Sequence, residues 1–145
     1  MNGTSSAKRG NLSQTEEFQK DNDCVFCDTD RLNILSCNQL SFAVFDLFPV
    51  TEFHVLVIPN RHTSNVFDLR QTEIQAMHAL LKVMRKQIES KDPKVTAFNV
   101  GVNVGEDAGQ SVFHSHIHLI PRRYGDSNMA WNNSLGGIRW SVPKL

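Results

Sequence analysis

The sequence has almost no cysteine: three residues in 145, Cys24, Cys27 and Cys37, all in its first third. Three thiols so placed do not make a disulfide framework. It also lacks net charge, with 15 Lys and Arg against 15 Asp and Glu. That balance provides no long-range positive field, so a nucleic-acid backbone is not the expected partner, although a local anion site is still allowed. No apolar run approaches the roughly 20 residues that span a bilayer, and the polar start MNGTSSAKRGNLSQTEEFQKDND has no signal-like hydrophobic segment. A cytoplasmic protein that does not meet a membrane is the expectation. The length suits one domain, read as a flexible leader over 1–20 and a single domain over 21–145 that includes the C-terminal tail.

What the chain does have is histidine at a regular spacing. Of six histidines, His114, His116 and His118 fall at period two in QSVFHSHIHLIPR. On a strand this spacing puts three imidazoles on one face, with neighbours roughly 6 to 7 Å apart. An apolar strand gains nothing from three polar rings, so the pattern points to chemistry on a phosphate or to metal holding. A metal bound by this strand alone is disfavoured, because tetrahedral ligands usually converge from several elements. Cys24 and Cys27 form a Cys-x-x-Cys pair behind the polar leader, followed by Asp28 and Asp30. A redox pair would be expected to open a helix after a strand, so zinc is the better reading of this one.

The remaining pattern gives an α+β fold, an antiparallel sheet of about five strands with one main helix. Residues 33–37 and 42–45 read as a hairpin, and FHVLVI, residues 53–58, reads as a strand stopped by Pro59. A stripe of Ile74, Met77, Leu81, Met84 and Ile88 marks an amphipathic helix, with Thr72 and Gln75 as a capping box and Pro93 barring continuation. The strand at 95–103 turns Phe98, Val100 and Val102 one way and Ala97, Asn99, Gly101 and Asn103 the other, a polar face suited to a shallow pocket. The loop at 104–109, VGEDAG, offers backbone N–H groups as an anion cradle. Arg122 and Arg123 are either a solvated pair or a contact for a polyphosphate, and the tail around Trp140 packs on its own body or crosses to a partner subunit.

Taken together, HSHIHLI, the preceding AGQSVFH and the segment FHVLVIPNRH resemble the histidine triad (HIT) superfamily of nucleotide hydrolases and transferases, over about Cys24 to Arg122. The resemblance implies a homodimer whose two sheets join into one of ten strands, and cleavage at the α-phosphorus of a purine nucleotide. His116 matches the nucleophile, His118 its neighbour on the phosphate, and Gln110 and Ser111 the pair that contacts the phosphate and the leaving group. Asn103 matches a phosphate-side residue, Asp46 the ribose-binding acid and Leu47 a wall of the base pocket. Similar bacterial-type members with Cys-x-x-Cys carry structural zinc, and here the implied ligands are Cys24, Cys27, His62 and His114. The implied activity is hydrolysis of dinucleoside polyphosphates such as diadenosine tetraphosphate through a nucleotidyl-histidine intermediate. The alternatives are an adenosine phosphoramidate hydrolase, a nucleotidyl transferase or phosphorylase, and a non-catalytic purine-nucleotide-binding regulatory protein.

Overall fold

A computed structural model describes residues 20–126, so the expectations for the leader and for the tail around Trp140 lie outside the described residues. Five strands, β1 (Ile34–Cys37), β2 (Ser41–Phe45), β3 (Val55–Pro59), β4 (Val95–Gly101) and β5 (Ile117–Arg123), form one antiparallel sheet in the order β1-β2-β3-β5-β4. The helix α1 (Gln71–Lys91) covers one face. The α+β expectation is met.

β3 lies mid-sheet and is buried on both sides, hence its unbroken apolar run. Val55 and Val57 pack beneath α1 with Met77, Leu80, Met84 and Ile88, while Leu56 and Ile58 join Phe42, Val44 and Phe26 on the open face. The register pairs Val44 with Leu56 and Leu56 with His118, which puts His118 on the same open face.

Three details differ from the sequence reading. The buried side of α1 is Glu73, Met77, Leu80, Met84 and Ile88, with Ile74 exposed, so the stripe is rotated from the expected one. The helix starts two residues earlier than a Thr72 cap allows, and the Glu73 carboxylate, not Gln75, accepts the Arg70 N–H at 2.9 Å. β4 ends at Gly101, leaving Asn103 in the loop beyond. No described helix is long and apolar enough to cross a membrane.

The turn before β3 carries local strain. Phe53 has φ 66°, a left-handed conformation that costs an aromatic residue energy, and its ring packs 6.2 Å from Phe45. The reversal delivers His54 to the strand.

Candidate functional site

The open face carries a cavity of about 700 Å³, within the usual range for small-molecule sites. His116, His118, Ser111, Asn103 and Asp46 line it together with apolar Val25, Phe26, Val44 and Leu47. His114 and His116 are not on the strand, which begins at Ile117. The chain bends there because the Ser115 N–H donates to the Thr63 carbonyl at 2.6 Å, outside the sheet ladder. The expected common face therefore splits: His116 and His118 line the cavity with rings 5.0 Å apart, and His114 turns toward the cysteines.

Hydrogen-bond partners assign the protons. His116 Nδ1 lies 2.7 Å from the His114 carbonyl, a pure acceptor, so Nδ1 carries hydrogen and Nε2 keeps its lone pair. The Val50 N–H donates to His54 Nδ1 at 3.1 Å, so His54 holds its proton on Nε2. From there it donates to His118 Nδ1 at 3.0 Å, which makes Nε2 the protonated nitrogen of His118. Asp46 Oδ2 stands 3.5 Å from His54 Nε2, and Asp46 Oδ1 accepts from the Phe48 N–H at 2.9 Å. His54 precedes β3, two residues before Leu56 and on the same face, and that spacing is the sequence signal that joins it to His118. The 3.0 Å between the two nitrogens is a hydrogen-bond length, below the roughly 3.4 Å that two tetrahedral ligands keep, so Asp46, His54 and His118 form a cluster around the His54 Nε2–H and not a tetrahedral zinc site.

Behind the cavity, Cys24, Cys27, His62 and His114 bring one ligand atom each to within 4.8 Å of all the others. His114 Nδ1 is 3.5 Å from Cys24 Sγ and 3.6 Å from Cys27 Sγ, and His62 Nδ1 is 3.4 Å from Cys27 Sγ. A tetrahedral ion with Zn–S of about 2.3 Å and Zn–N of about 2.0–2.1 Å sets such edges near 3.6 Å. His114 Nε2 donates to the Pro59 carbonyl at 2.8 Å, leaving Nδ1 as a lone pair toward the sulfurs. Burial pushes the His114 pKa down to about 4, so the ring is neutral at physiological pH. Burial also pushes the Cys24 thiol up, so a cation is what would make it a thiolate. The donor set fits zinc. Asp21 supports it, its N–H donating to Cys27 Sγ at 3.3 Å and its carboxylate standing 3.9 Å from His62 Nε2.

Other expected residues go elsewhere. Gln110 is buried but does not line the cavity: its amide donates to the carbonyls of Ser64 (2.8 Å) and Val112 (3.1 Å) and accepts from the Gly105 N–H (2.8 Å). It braces the loop that presents Ser111. In that loop the N–H groups of Gly105, Ala108 and Gly109, and that of Gln110 after it, donate to the loop itself and are not offered to an anion. The loop's closure needs left-handed backbone at Gly105 (φ 88°) and Gly109 (φ 85°), which glycine adopts at no steric cost. Arg123 is clamped to Asp92 at 2.7 Å, and buried Arg122 donates through Nε to Asn99 Oδ1 at 2.7 Å. Neither arginine lines the cavity.

His116 and His118 stand side by side in a partly apolar cavity that also carries polar Ser111, Asn103 and Asp46, the lining that small-molecule sites have. The HIT domain matches residues 31–125, and the chain belongs to the HIT family of nucleotide-binding hydrolases and phosphorylases. It is 35% identical over 111 residues to an uncharacterized 16.1 kDa HIT-like protein of Mycoplasma pneumoniae, covering 74% of this chain and 76% of that one. It is 39% identical over 88 residues to the asymmetrical bis(5′-nucleosyl)-tetraphosphatase of Schizosaccharomyces pombe, covering 61% of this chain and only 48% of that enzyme. Among solved structures, a Zn-bound histidine triad family protein from Mycobacterium smegmatis superposes with TM-score 0.67 at 26% identity, over 82% of this chain and 88% of that one.

Proposed function

We propose that the protein hydrolyses dinucleoside polyphosphates at the α-phosphorus through a nucleotidyl-histidine intermediate. The observation that carries this reading is the 2.7 Å hydrogen bond from His116 Nδ1 to the His114 carbonyl, which fixes Nε2 as a nucleophilic lone pair in a wall of the cavity. Nε2 forms a bond to phosphorus as the bond to the bridging oxygen breaks. The polyphosphate departs as its anion, held by hydrogen bonds from the His118 Nε2–H and the Ser111 hydroxyl, and water then hydrolyses the N–P bond to release nucleoside monophosphate. His118 and Asn103 offset charge on the phosphoryl oxygens. Asp46 accepts from the ribose hydroxyls, and Leu47, 86% exposed at the rim, closes on the base. Gln110 acts indirectly, by holding the loop of Ser111.

Zinc on Cys24, Cys27, His62 and His114 serves as a structural cross-link that fixes the segment before β5. A second copy of the chain pairs along β4 to give a homodimer.

The test is a competition between diadenosine tetraphosphate and adenosine 5′-phosphoramidate, with rapid-quench capture of an acid-labile adduct. AMP and ATP as the dominant products support the polyphosphate. Dominant turnover of the phosphoramidate would move the assignment to that substrate. His116→Ala should lose roughly 10³-fold or more in kcat/KM and form no adduct, and an active variant would refute the mechanism.

A further inference from the structure

Only Val25 and Phe26 separate the two cysteines of the candidate metal set, and both line the cavity. The turn itself is short, closed by the Cys27 N–H donating to the Cys24 carbonyl at 3.0 Å. Phe26 is 7% exposed and stands edge-on to two triad rings, with centroids 5.9 Å from His114 and 5.4 Å from His116. It also packs in the open-face cluster with Phe42, Val44, Leu56 and Ile58. His114 is a second shared part, since its ring faces both sulfurs while its carbonyl holds His116. One four-residue turn thus carries two residues of the metal set and two of the cavity wall, and one histidine of the metal set holds His116, which lines the cavity.

We propose that Phe26 is a positioning residue through which metal occupancy sets nucleotide affinity, so that zinc and nucleotide bind with positive coupling. This rests on the reading of the cavity as a nucleotide site. Ligands at both ends of the turn fix the Phe26 ring against His116. Without the metal the turn gains freedom, and nucleotide binding must supply the ordering. Coupling of this kind is reciprocal: zinc tightens nucleotide by the same factor as nucleotide tightens zinc. A metal that only stabilised the fold would leave nucleotide affinity of the folded protein unchanged.

AMP serves as the probe. Its dissociation constant is measured by calorimetry on zinc-loaded and chelator-stripped protein, with folding checked by circular dichroism, and zinc affinity is measured by chelator competition with and without saturating AMP. We expect AMP to bind about fivefold or more tighter with zinc, and zinc to gain the same factor from AMP. Phe26→Ala, which keeps all four ligands, should weaken AMP and bring the factor below about two, while Phe26→Tyr should restore it. Should the stripped protein unfold, Co²⁺ in place of zinc gives a second readout on loaded protein. AMP should then shift the cobalt absorption bands in the wild type and leave them fixed in Phe26→Ala. Equal AMP affinity in both folded metal states, or cobalt bands indifferent to bound AMP, overturns the proposal while leaving the nucleotide site standing. Failure of AMP to bind any folded form overturns the site reading itself.

Discussion

At the residue scale, the protonation pattern of the cavity is set from outside it. His54 neither lines the cavity nor meets solvent, yet it determines which nitrogen of His118 carries the proton. His54→Ala should therefore lower kcat by about 10- to 100-fold with a smaller change in KM. His54→Gln, whose amide can both accept from Val50 and donate to His118, should recover part of the loss. Unchanged kcat in His54→Ala would show that the hydrogen bond from His54 to His118 does not bear on turnover. The spacing of His114, His116 and His118 made a reactive cluster legible in the sequence. It did not reveal that the segment before Ile117 leaves the sheet and parts His114 from the other two, since that bend depends on a hydrogen bond to Thr63, remote in sequence. The cluster of Asp46, His54 and His118 was hidden for the same reason: its members meet only through the β2-β3-β5 register.

At the scale of elements, the start of α1 and the metal set share one loop. Arg61 donates to Glu73 through Nη2 at 2.8 Å and to the Asp68 carbonyl at 3.0 Å, and His62 follows it directly. Burial alone would raise the Glu73 pKa, but hydrogen bonds from Arg61 and the Arg70 N–H outweigh it and hold the carboxyl below its usual value. The sign follows from linkage: a carboxylate depressed in the folded state contributes stability above its unfolded pKa and loses it as pH falls through the folded one. Glu73→Gln should thus destabilise at neutral pH, and the gap from wild type should close in acid, as read by urea denaturation across pH. Arg61→Met should cost about 3 kcal/mol at pH 7, because it leaves a buried carboxylate without its cation. A pH-independent gap for Glu73→Gln would mean that the ion pair is not what Glu73 contributes. The helix was legible from its stripe and from Pro93. Which apolar residues face the sheet was not, because the tethered Glu73 turns Leu80 inward and leaves Ile74 outside.

At the scale of the whole molecule, the two sheet edges are unequal. β1 has four residues and a register shift between Ile34 and Ser36, features that blunt an edge against pairing. β4 is longer, with seven residues and no charged side chain, and beyond a shift between Val95 and Ala97 it keeps a regular register to Gly101. Within it, Val100 is 53% exposed at a groove of about 400 Å³ lined by Leu81, Phe98 and Leu119 and, from α1, by Lys82, Arg85 and Glu89. An exposed valine on an uncharged edge with a regular register is what a second copy of the chain would cover, and antiparallel pairing about a twofold axis would bring β4 against β4. Val100→Lys puts a charge on each side of that axis, where neither can be solvated or paired with an acid of the same strand. The wild type should sediment as a dimer at micromolar concentration and the variant as a monomer with the same circular dichroism spectrum. A wild type that remains monomeric to about 100 μM, weaker than the roughly 5 kcal/mol that such a Kd represents, would leave the β4 edge without this role.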